Sequence, residues 1–506
     1  MRPTRRGARL LPPRSTRQSV AMRSPKTLFT FIALLRVVLP AQLDAAAEPS
    51  PNIVFILADD LGINDLHCYG RQDHHTPHLD RLAAQGMRFT SAYCAQPICS
   101  PSRAAILTGK TPARLHLTTY LPGRPDCISQ RVLHPEIQMQ LPLEEKTLAD
   151  YFKQAGYVCG AIGKWHVGGR GFGPVEHGFN SYHAGQANTK PSPTEGGKGE
   201  YDLTSAAESF IESNRDRPFL LYLAHNSPHI PYTAQPARIA HNVGAFEPVY
   251  AAVIETLDDT VGRLLTKLDT LKLSERTIVI FTSDNGGLHV PEGPHPKVTH
   301  NSPYRAGKGF VYEGGLRIPL IVRWPGRVPR GKVVPDAVLN TDWVPTLLEL
   351  AGQPIPAGLD GVSFAPLLTG RGPAPARDFF WHFPHYTNQG SRPSGAMRRG
   401  NWMLLEYYDA AQVELYDLNG DVAEGHDLAA RFPQRVTNMR TALADWRKRM
   451  NAQENRPNPN FDPVRYRELY QDVDASRFEP ATASTNQWQT MWQWRKQMNA
   501  VLPRGG

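Results

Sequence analysis

Cysteine is scarce in this sequence, and several common sequence signatures are missing altogether. The 506 residues include five cysteines and no Cys-x-x-Cys pair, which argues against a cysteine-rich zinc site. There is no internal repeat and no glycine-rich nucleotide-binding fingerprint. The apolar run at residues 28–35 is too short to cross a membrane. These absences exclude a collagen-like, coiled-coil or polytopic membrane protein.

Most of the chain also lacks an excess of charge of either sign. The formal net charge is +9, but residues 1–47 contain nine basic residues and a single acidic one, so the remainder carries only +1. A nearly neutral body gives no support for nucleic-acid binding. A hydrophobic content of 41% with 20% charged residues indicates a globular protein instead.

The basic segment at residues 1–47 has the layout of a secretory signal peptide. Arg23 and Lys26 precede the apolar run, and small residues at 45–47 come directly before Glu48. The segment therefore predicts export to the periplasm or the cell exterior, without a stable membrane span. Met22 is an alternative start of the chain.

The five cysteines are an odd number, so at least one of them is unpaired or modified. If Cys99 is reserved for chemistry, four remain: Cys68, Cys94, Cys127 and Cys159. In an exported protein these four either form two disulfides or stay as buried thiols, and both alternatives remain open.

Apolar runs that end in polar residues recur along residues 48–375. They cover residues 52–58, 157–162, 219–224 and 277–282, and helical patterns at 79–85, 147–155 and 250–271 separate them. This alternation predicts an α/β fold with a large, mainly parallel sheet flanked by helices. Ligands of such sheets bind at the carboxyl ends of the strands, so we expect residues 48–375 to form the domain that carries the functional site.

The pattern of apolar and polar residues changes after residue 375. Short strand patterns at 379–383, 402–407 and 413–416, followed by a helical stretch at 436–450, predict a small antiparallel α+β subdomain over residues 376–453. Residues 454–506 form an aromatic-rich extension with Trp488, Trp492 and Trp494. We expect a helix that docks through these rings; a carbohydrate-contacting surface is the alternative.

Oxygen-donor side chains follow the first and the last of the four predicted parallel strands. Asp59 and Asp60 end the first strand, and Asp284 and Asn285 end the last. Adjacent carboxylates repel unless a cation lies between them, and oxygen ligands favour Ca²⁺ or Mg²⁺. The alternative is that both pairs are ordinary turn residues.

A second candidate element begins at Cys99. Pro101 is suited to the first turn of a helix, which would place Cys99 at the helix N-terminus and Arg103 about one turn along. A single cysteine in such a place is usually a small buried apolar residue. The run Cys-x-Pro-Ser-Arg, followed by Ala-x-x-x-Thr-Gly, is far more specific than a single cysteine.

Taken together, these elements resemble the type I, formylglycine-dependent sulfatases of the alkaline phosphatase superfamily. The resemblance extends from Asn52 to about Ala430. Its motifs are Cys99-Ser100-Pro101-Ser102-Arg103, Gly163-Lys164-Trp165-His166, Ser227-Pro228-His229, Thr282-Ser283-Asp284-Asn285-Gly286, Gly307-Lys308, Glu313-Gly314-Gly315-Leu316-Arg317-Ile318-Pro319 and Glu414-Leu415-Tyr416-Asp417-Leu418.

The resemblance implies a hydrolase of sulfate monoesters that acts on sulfated glycans and also on aryl sulfates. Cys99 would be oxidised to formylglycine (3-oxoalanine) by a formylglycine-generating enzyme before the protein folds. One divalent cation, Ca²⁺ with Mg²⁺ as the alternative, would be held by Asp59, Asp60, modified residue 99, Asp284 and Asn285.

The resemblance also assigns roles to the remaining motif residues. Arg103 and Lys164 would hold the hydrated residue 99. Lys308 and His229 would approach the sulfate and the leaving oxygen, with His229 as general acid. His166 would be the base in the step that expels sulfate.

Two other functions remain open at this stage. One is a phosphonate or phosphate monoester hydrolase of the same superfamily, since phosphoryl and sulfuryl groups make similar electrostatic demands. The other is a non-catalytic protein that binds sulfated glycans. The sugar and the hydroxyl position would depend on loops such as residues 118–139 and 168–198, whose composition does not encode them.

Overall fold

The computed structural model describes residues 50–186, 192, 197–295 and 297–503. The predicted leader, residues 1–47, lies outside the described residues. Within those residues, no helix is both long enough and apolar enough to span a bilayer.

The described chain contains strands and helices in alternation. The strands are β1 (Asn52–Asp59), β2 (Met87–Tyr93), β3 (Val132–Leu133), β4 (Val158–Gly163), β5 (Ser181–Ala184), β6 (Phe219–Pro228), β7 (Thr277–Ser283), β8 (Arg317–Arg323), β9 (Lys332–Val334), β10 (Val338–Leu339), β11 (Phe379–Phe383), β12 (Ser394–Arg399), β13 (Trp402–Tyr407), β14 (Val413–Asp417) and β15 (Arg456–Pro457). The helices are α1 (Pro77–Gln85), α2 (Cys99–Thr108), α3 (Pro112–Leu115), α4 (Leu148–Gln154), α5 (Glu200–Ser213), α6 (Pro236–His241), α7 (Pro248–Thr270), α8 (Glu313–Leu316), α9 (Trp343–Leu350), α10 (Ala365–Leu368), α11 (Pro433–Arg449), α12 (Pro463–Tyr470) and α13 (Thr485–Ala500). Single 3₁₀ turns lie at His67–Tyr69, Ser274–Arg276, Asn340–Asp342 and Ala475–Arg477.

The main sheet has nine strands among the described residues. Eight follow the order β10-β2-β8-β7-β1-β6-β4-β5, and β9 pairs with β2. The strands β7, β1, β6, β4 and β5 run parallel to one another, whereas β8 is antiparallel to both β2 and β7. The predicted large, mainly parallel sheet is thereby confirmed.

The central position of β1 explains its continuous apolar sequence. All eight of its residues are buried, because β6 and β7 flank it and helices cover the sheet. Among these helices, α7 contacts α1, α5 and α6, whereas α2 contacts α4 and α9. The strand therefore ends deep inside the protein, where its terminal carboxylate is shielded from water.

A second sheet contains four antiparallel strands in the order β11-β12-β13-β14. Helix α11 packs on it through Met439, Leu443 and Trp446, and the Trp446 ring stacks on Phe380 at 5.2 Å between centroids. The predicted C-terminal antiparallel sheet is confirmed, with β12 as a strand that the sequence pattern did not identify. The boundaries predicted after residues 375 and 453 stay predictions.

The aromatic C-terminal extension ends in α13, which docks through its indole rings. Trp488 and Trp494 are buried, and Trp494 Nε1 donates a hydrogen bond of 2.9 Å to the carbonyl of Leu469. Trp488 packs edge-on against Phe478. The predicted docked helix is confirmed, and the burial of these two rings removes them from any carbohydrate-contacting surface.

Candidate active site

The parallel strands bring their carboxyl ends, and the residues that follow them, to one edge of the sheet. Asp59 ends β1 and Asp60 follows it, Lys164 follows β4, His229 follows β6 and Asp284 follows β7. Because β1 pairs in parallel with β6 and β7, and β6 with β4, these side chains converge although they lie up to 225 residues apart.

Helix α2 presents Cys99 to this edge. The helix begins at Cys99, is buried along its whole length and ends before Gly109, which adopts a left-handed conformation. Cys99 Sγ lies 3.5 Å from Asp59 Oδ1 and 3.7 Å from Asp60 Oδ1. The predicted placement of Cys99 at the start of a helix is confirmed, and the thiol faces two carboxylates.

Arg103, one turn along α2, connects three parts of the site. Its Nε donates to Asp284 Oδ2 at 2.8 Å, and Nη2 lies 3.5 Å from Asp59 Oδ1. Nη1 donates to the carbonyl of Lys164 at 3.1 Å. A fully buried guanidinium in this position fixes the helix against the ends of all three strands, β1, β4 and β7.

Two lysines form ion pairs with the carboxylates of Asp59 and Asp60. Lys164 Nζ lies 2.5 Å from Asp59 Oδ2, and Lys308 Nζ lies 2.7 Å from Asp60 Oδ2. Burial opposes the charge on each lysine, but the facing carboxylate outweighs it and raises the pKa of both Lys164 and Lys308. Both ammonium groups are therefore charged at neutral pH.

The three carboxyl groups have different electrostatic surroundings. Burial pushes the pKa of Asp59 upward, but Lys164 and other cations outweigh it and hold the pKa well below its usual range. Lys308 and His229 likewise lower the pKa of Asp60. Burial and the negative charges of Asp59 and Asp60 raise the pKa of Asp284 to about 7, because together they outweigh the positive charge of Arg103, which lowers it. A cation among these groups would relieve that repulsion.

Asn285 has a side-chain oxygen whose surroundings suit a cation. Its Nδ2 donates to Asp60 Oδ1 at 2.8 Å and to the carbonyl of Gly286 at 3.0 Å. Its Oδ1 is buried and accepts no hydrogen bond from any described residue. A buried amide oxygen without a donor beside carboxylates fits a hard divalent cation.

The atoms available to a cation are close together. One ligand atom each from Asp59, Asp60, Cys99 and His229 lies within 4.8 Å of the others. Asp284 is adjacent, with Oδ1 accepting from the Asp60 amide at 3.1 Å and Oδ2 facing Arg103. The structure therefore brings the predicted ligands Asp59, Asp60, Asp284, Asn285 and residue 99 together, and it adds His229 to their surroundings.

His229 stands between the carboxylates and the solvent-accessible pocket. Its Nδ1 donates to the carbonyl of Ile230 at 2.6 Å, which leaves Nε2 facing Lys308 Nζ at 3.2 Å. Burial and the charge of Lys308 lower the pKa of His229 to about 4. Lys198, which the sequence did not single out, donates to the His229 carbonyl and is itself buried.

His166 lies on another side of the same pocket. Its backbone has a positive φ of 59°, and Nε2 lies 3.1 Å from the carbonyl of Leu121. Burial and the charge of Lys164 lower the pKa of His166 to about 3. Its Nδ1 is buried and has no hydrogen-bond partner among the described residues.

A pocket of about 560 Å³ opens over Cys99. Besides the predicted residues Cys99, Lys164, His166, His229 and Lys308, the pocket is lined by side chains for which the sequence predicted no individual role, some of them in the predicted substrate loops 118–139 and 168–198. These side chains are Tyr120, Tyr182, Gln186, Asn226, Glu292, Asn388 and Gln389. Tyr182 lies on β5 and Asn226 on β6, and the others lie in segments far apart in the sequence or just after β5, so only the folded chain brings them to one pocket.

Two further histidines and an arginine near the motif residues make structural contacts. His225 hydrogen-bonds Glu200, and His295 Nε2 accepts from the amide of Tyr232 at 2.6 Å. Arg305 donates to the Tyr416 hydroxyl at 3.0 Å, away from the pocket lining.

All five cysteines are free thiols, so the predicted alternative of two disulfides is not realised. Four of them are buried, and Cys68 is partly buried.

Known proteins are similar to this chain in sequence and in fold. Residues 51–353 match the family described as Sulfatase, and residues 306–453 match N-sulphoglucosamine sulphohydrolase, C-terminal. N-acetylgalactosamine-6-sulfatase of Canis lupus familiaris is 36% identical over 384 residues, covering 69% of this chain and 72% of the relative. Arylsulfatase A of Homo sapiens is 36% identical over 403 residues, covering 71% and 75%.

Two solved structures show the same architecture. The protein described as Ps i-CgsB superposes with a TM-score of 0.69 at 26% identity, covering 89% of this chain and 99% of that one. The phosphonate monoester hydrolase of Agrobacterium radiobacter shares the fold, with a TM-score of 0.61 at 19% identity, covering 79% and 96%. With a cysteine, three cations and a carboxylate cluster at the strand ends, and with relatives at 36% identity, this chain belongs to the sulfatase family and is a sulfuric ester hydrolase.

Proposed function

We propose that the enzyme hydrolyses sulfate esters of glycans, and also aryl sulfates, through residue 99 in its formylglycine form. One observation carries this proposal. Cys99 Sγ lies within 4 Å of both Asp59 and Asp60, at the floor of a pocket that Lys164 and Lys308 also line. A single nucleophile surrounded by fixed cations is suited to a tetrahedral anion.

The carboxylate cluster fits one divalent cation, for which we propose Ca²⁺, with Mg²⁺ as the alternative. Asp59, Asp60, residue 99, Asp284 and Asn285 would hold it. The unpartnered Oδ1 of Asn285 and the raised pKa of Asp284 support this assignment. When bound, the cation supplies positive charge that offsets the charge of a sulfate oxygen.

Formylglycine at position 99, once hydrated, supplies one hydroxyl to attack sulfur and a second whose deprotonation expels sulfate. The chain's own residues prepare this chemistry. Arg103 and Lys164 place positive charge beside residue 99 and favour its deprotonated form. Lys308, whose Nζ lies near His229 Nε2, is placed to bind the sulfate on the side of the leaving oxygen.

We assign His229 as general acid and His166 as the base that assists release of sulfate. The Nδ1–H bond to the Ile230 carbonyl orients His229 so that Nε2 carries the transferable proton. Burial and the charge of Lys308 lower the pKa of His229 and so disfavour that proton, whereas the negative charge of a bound sulfate ester would favour it. His166 lines the pocket, and its buried Nδ1 accepts no hydrogen bond from any described residue.

A glycan is the substrate class that the pocket and the relatives favour. The walls offer amide and phenol groups, which hydrogen-bond sugar hydroxyls, over a space large enough for a saccharide unit. One relative is an N-acetylgalactosamine-6-sulfatase, and the Ps i-CgsB protein has been solved in complex with k-i-k-neocarrahexaose at 26% identity. We further propose maturation by a formylglycine-generating enzyme and export to the periplasm or the cell exterior.

Two measurements test this function against its rivals. Hydrolysis of 4-nitrophenyl sulfate should be faster than that of 4-nitrophenyl phosphate and phenyl phosphonate esters; the reverse order would favour the phosphonate hydrolase alternative. Mass spectrometry of the peptide with residue 99 should show sulfur replaced by oxygen and the loss of two hydrogens. An unmodified Cys99 in the natural host, without turnover, would favour the glycan-binding alternative.

A further inference from the structure

One wall of the pocket carries a carboxylate that the proposed chemistry does not use. Glu292 lines the pocket together with Lys308, and its side chain is 18% exposed. Its Oε2 accepts a hydrogen bond of 2.6 Å from Gln389 Nε2. Its Oε1 lies 3.2 Å from Arg495 Nη2. Both oxygens are therefore held in place while the group remains accessible.

The support for this carboxylate comes from the C-terminal helix α13. Arg495 lies on α13 and also donates through Nη1 to the carbonyl of Asn388 at 2.5 Å. Arg124 bridges the same two parts of the chain, since it bonds the Asn388 side chain and donates to the Met498 carbonyl at 2.8 Å. The helix thereby fixes the loop that carries Asn388 and the wall that carries Glu292.

The charges around the pocket are unevenly distributed. Among the described lining residues, the lysines are Lys164 and Lys308, and both contact the carboxylate cluster below Cys99. Glu292 is the acidic residue in the same lining. A second anionic group next to the scissile sulfate would meet this carboxylate, whereas a neutral hydroxyl could donate a hydrogen bond to it.

We propose that Glu292 is a specificity-determining residue that selects sulfated sugars whose neighbouring groups are uncharged, and rejects those with a second sulfate or a carboxylate beside the scissile ester. Arg495 is a positioning residue that holds the Glu292 carboxylate and moderates its charge. The role of Glu292 rests on the proposed function, because it specifies the substrate class of that same pocket.

The test compares substrates that differ by one anion. One set contains galactose and N-acetylgalactosamine monosulfates, each with a counterpart that carries one additional sulfate. The other is the aryl pair 4-nitrophenyl sulfate and 3-carboxy-4-nitrophenyl sulfate. We expect the wild type to prefer the singly charged member by at least about tenfold in kcat/KM, because juxtaposed like charges are strongly unfavourable. The readout is the preference ratio, which is kcat/KM for the singly charged substrate divided by kcat/KM for its doubly charged counterpart. A change in the absolute rate alone does not alter this ratio.

Two variants should move this ratio in opposite directions. Glu292→Gln keeps the shape and removes the charge, so the ratio should fall toward unity. Arg495→Gln leaves the carboxylate without its cation, so the ratio should rise; Arg495→Lys should stay closer to the wild type. Glu144→Gln makes the same charge change at an exposed position outside the pocket lining and is the matched control.

The outcomes separate this role from the proposed function. A wild type without preference, or a Glu292→Gln ratio equal to that of Glu144→Gln, would overturn the role of Glu292. If no sugar is hydrolysed but the aryl pair shows a preference that Glu292→Gln removes, the role holds and the glycan function is wrong. If sugars are hydrolysed and no ratio responds to Glu292, the glycan function holds and the role is wrong.

Discussion

Asn285 donates from Nδ2 to Asp60 Oδ1 at 2.8 Å, and this bond determines the orientation of its amide. A carboxylate and the Gly286 carbonyl both face Nδ2, and neither can donate, so the oxygen must be on the other side. That oxygen is buried, and no described residue donates a hydrogen bond to it. The side chain is thus preorganised as a ligand by its own neighbours.

The first prediction concerns this preorganised amide. Treatment with a chelator should lower the melting temperature, and Ca²⁺ should restore it, because an ion that binds the folded state stabilises it. Asn285→Ala should weaken calcium binding by at least about tenfold, as loss of a supporting group in a metal site commonly does. Thermal melts against calcium concentration measure the shift, with exposed Asn486→Ala as control. Equal calcium dependence in both variants would contradict the ligand assignment.

The second prediction concerns the nucleophile. Cys99→Ala should lower kcat on 4-nitrophenyl sulfate by at least about a thousandfold, since it removes the proposed covalent nucleophile. Cys94→Ala is the matched control: it also removes a buried thiol, but Cys94 Sγ contacts the Gly315 carbonyl rather than the carboxylates. Full turnover by Cys99→Ala would refute the mechanism.

The third prediction separates a proton donor from a sulfate-binding group. His229→Gln should reduce kcat/KM by about a hundredfold or more for sugar sulfates, whose leaving alcohols need a proton. The loss should be much smaller for 4-nitrophenyl sulfate, whose leaving group departs as an anion. Lys308→Gln should impair both substrates to a similar degree, since it removes the charge that we propose to bind the sulfate. A uniform loss in His229→Gln would contradict the general-acid role.

The fourth prediction concerns stability at low pH, away from the active site. Burial lowers the pKa of His382 to about 3, and its ring nitrogens bond Tyr408 and the Gln453 carbonyl. Below pH 6.5 the unfolded chain gains a proton on this histidine that the folded chain does not accept. The free energy of unfolding should therefore decrease as the pH falls from 6.5, by about 1.4 kcal/mol per pH unit for His382 alone.

His382→Gln tests this dependence, because its amide can replace both hydrogen bonds without titrating. Urea unfolding at pH 7.5 and pH 5.5 should show a smaller loss of stability for the variant than for the wild type. The exposed His426 provides the control substitution, His426→Gln, which should keep the wild-type dependence. The same loss in all three proteins would show that His382 does not contribute.

The sequence was sufficient to predict the strands that carry the chemistry. A strand buried on both faces needs an unbroken apolar run, and the polar residue that ends it marks the edge of the sheet. This is why β1 and β7, with Asp59 and Asp284 at their ends, could be recognised. Strands β2 and β8 were missed, because Arg88 and Thr90 interrupt one run and Pro319 the other.

The pocket walls could not be predicted, for a different physical reason. Glu292, Gln389 and Arg495 are brought together by contacts between loops and α13, and each has only ordinary loop or helix residues around it. Neither hydrophobic periodicity nor motif spacing in the sequence predicts that these three side chains are in contact. Motifs whose residues are neighbours in the sequence could be recognised. The selectivity that we propose depends instead on residues that only folding brings together.

The burial of Cys99 has a consequence for the order of events during synthesis. A thiol that is 2% exposed at the base of a packed helix is out of reach of any modifying enzyme once the fold is complete. Yet the site needs Lys308, which follows roughly 200 residues later and emerges about 10 to 40 s after Cys99 at ordinary elongation rates. For the proposed conversion of Cys99, the incomplete chain itself would keep the cysteine accessible, so synonymous codons that speed translation between these two residues should reduce the fraction of enzyme that carries formylglycine.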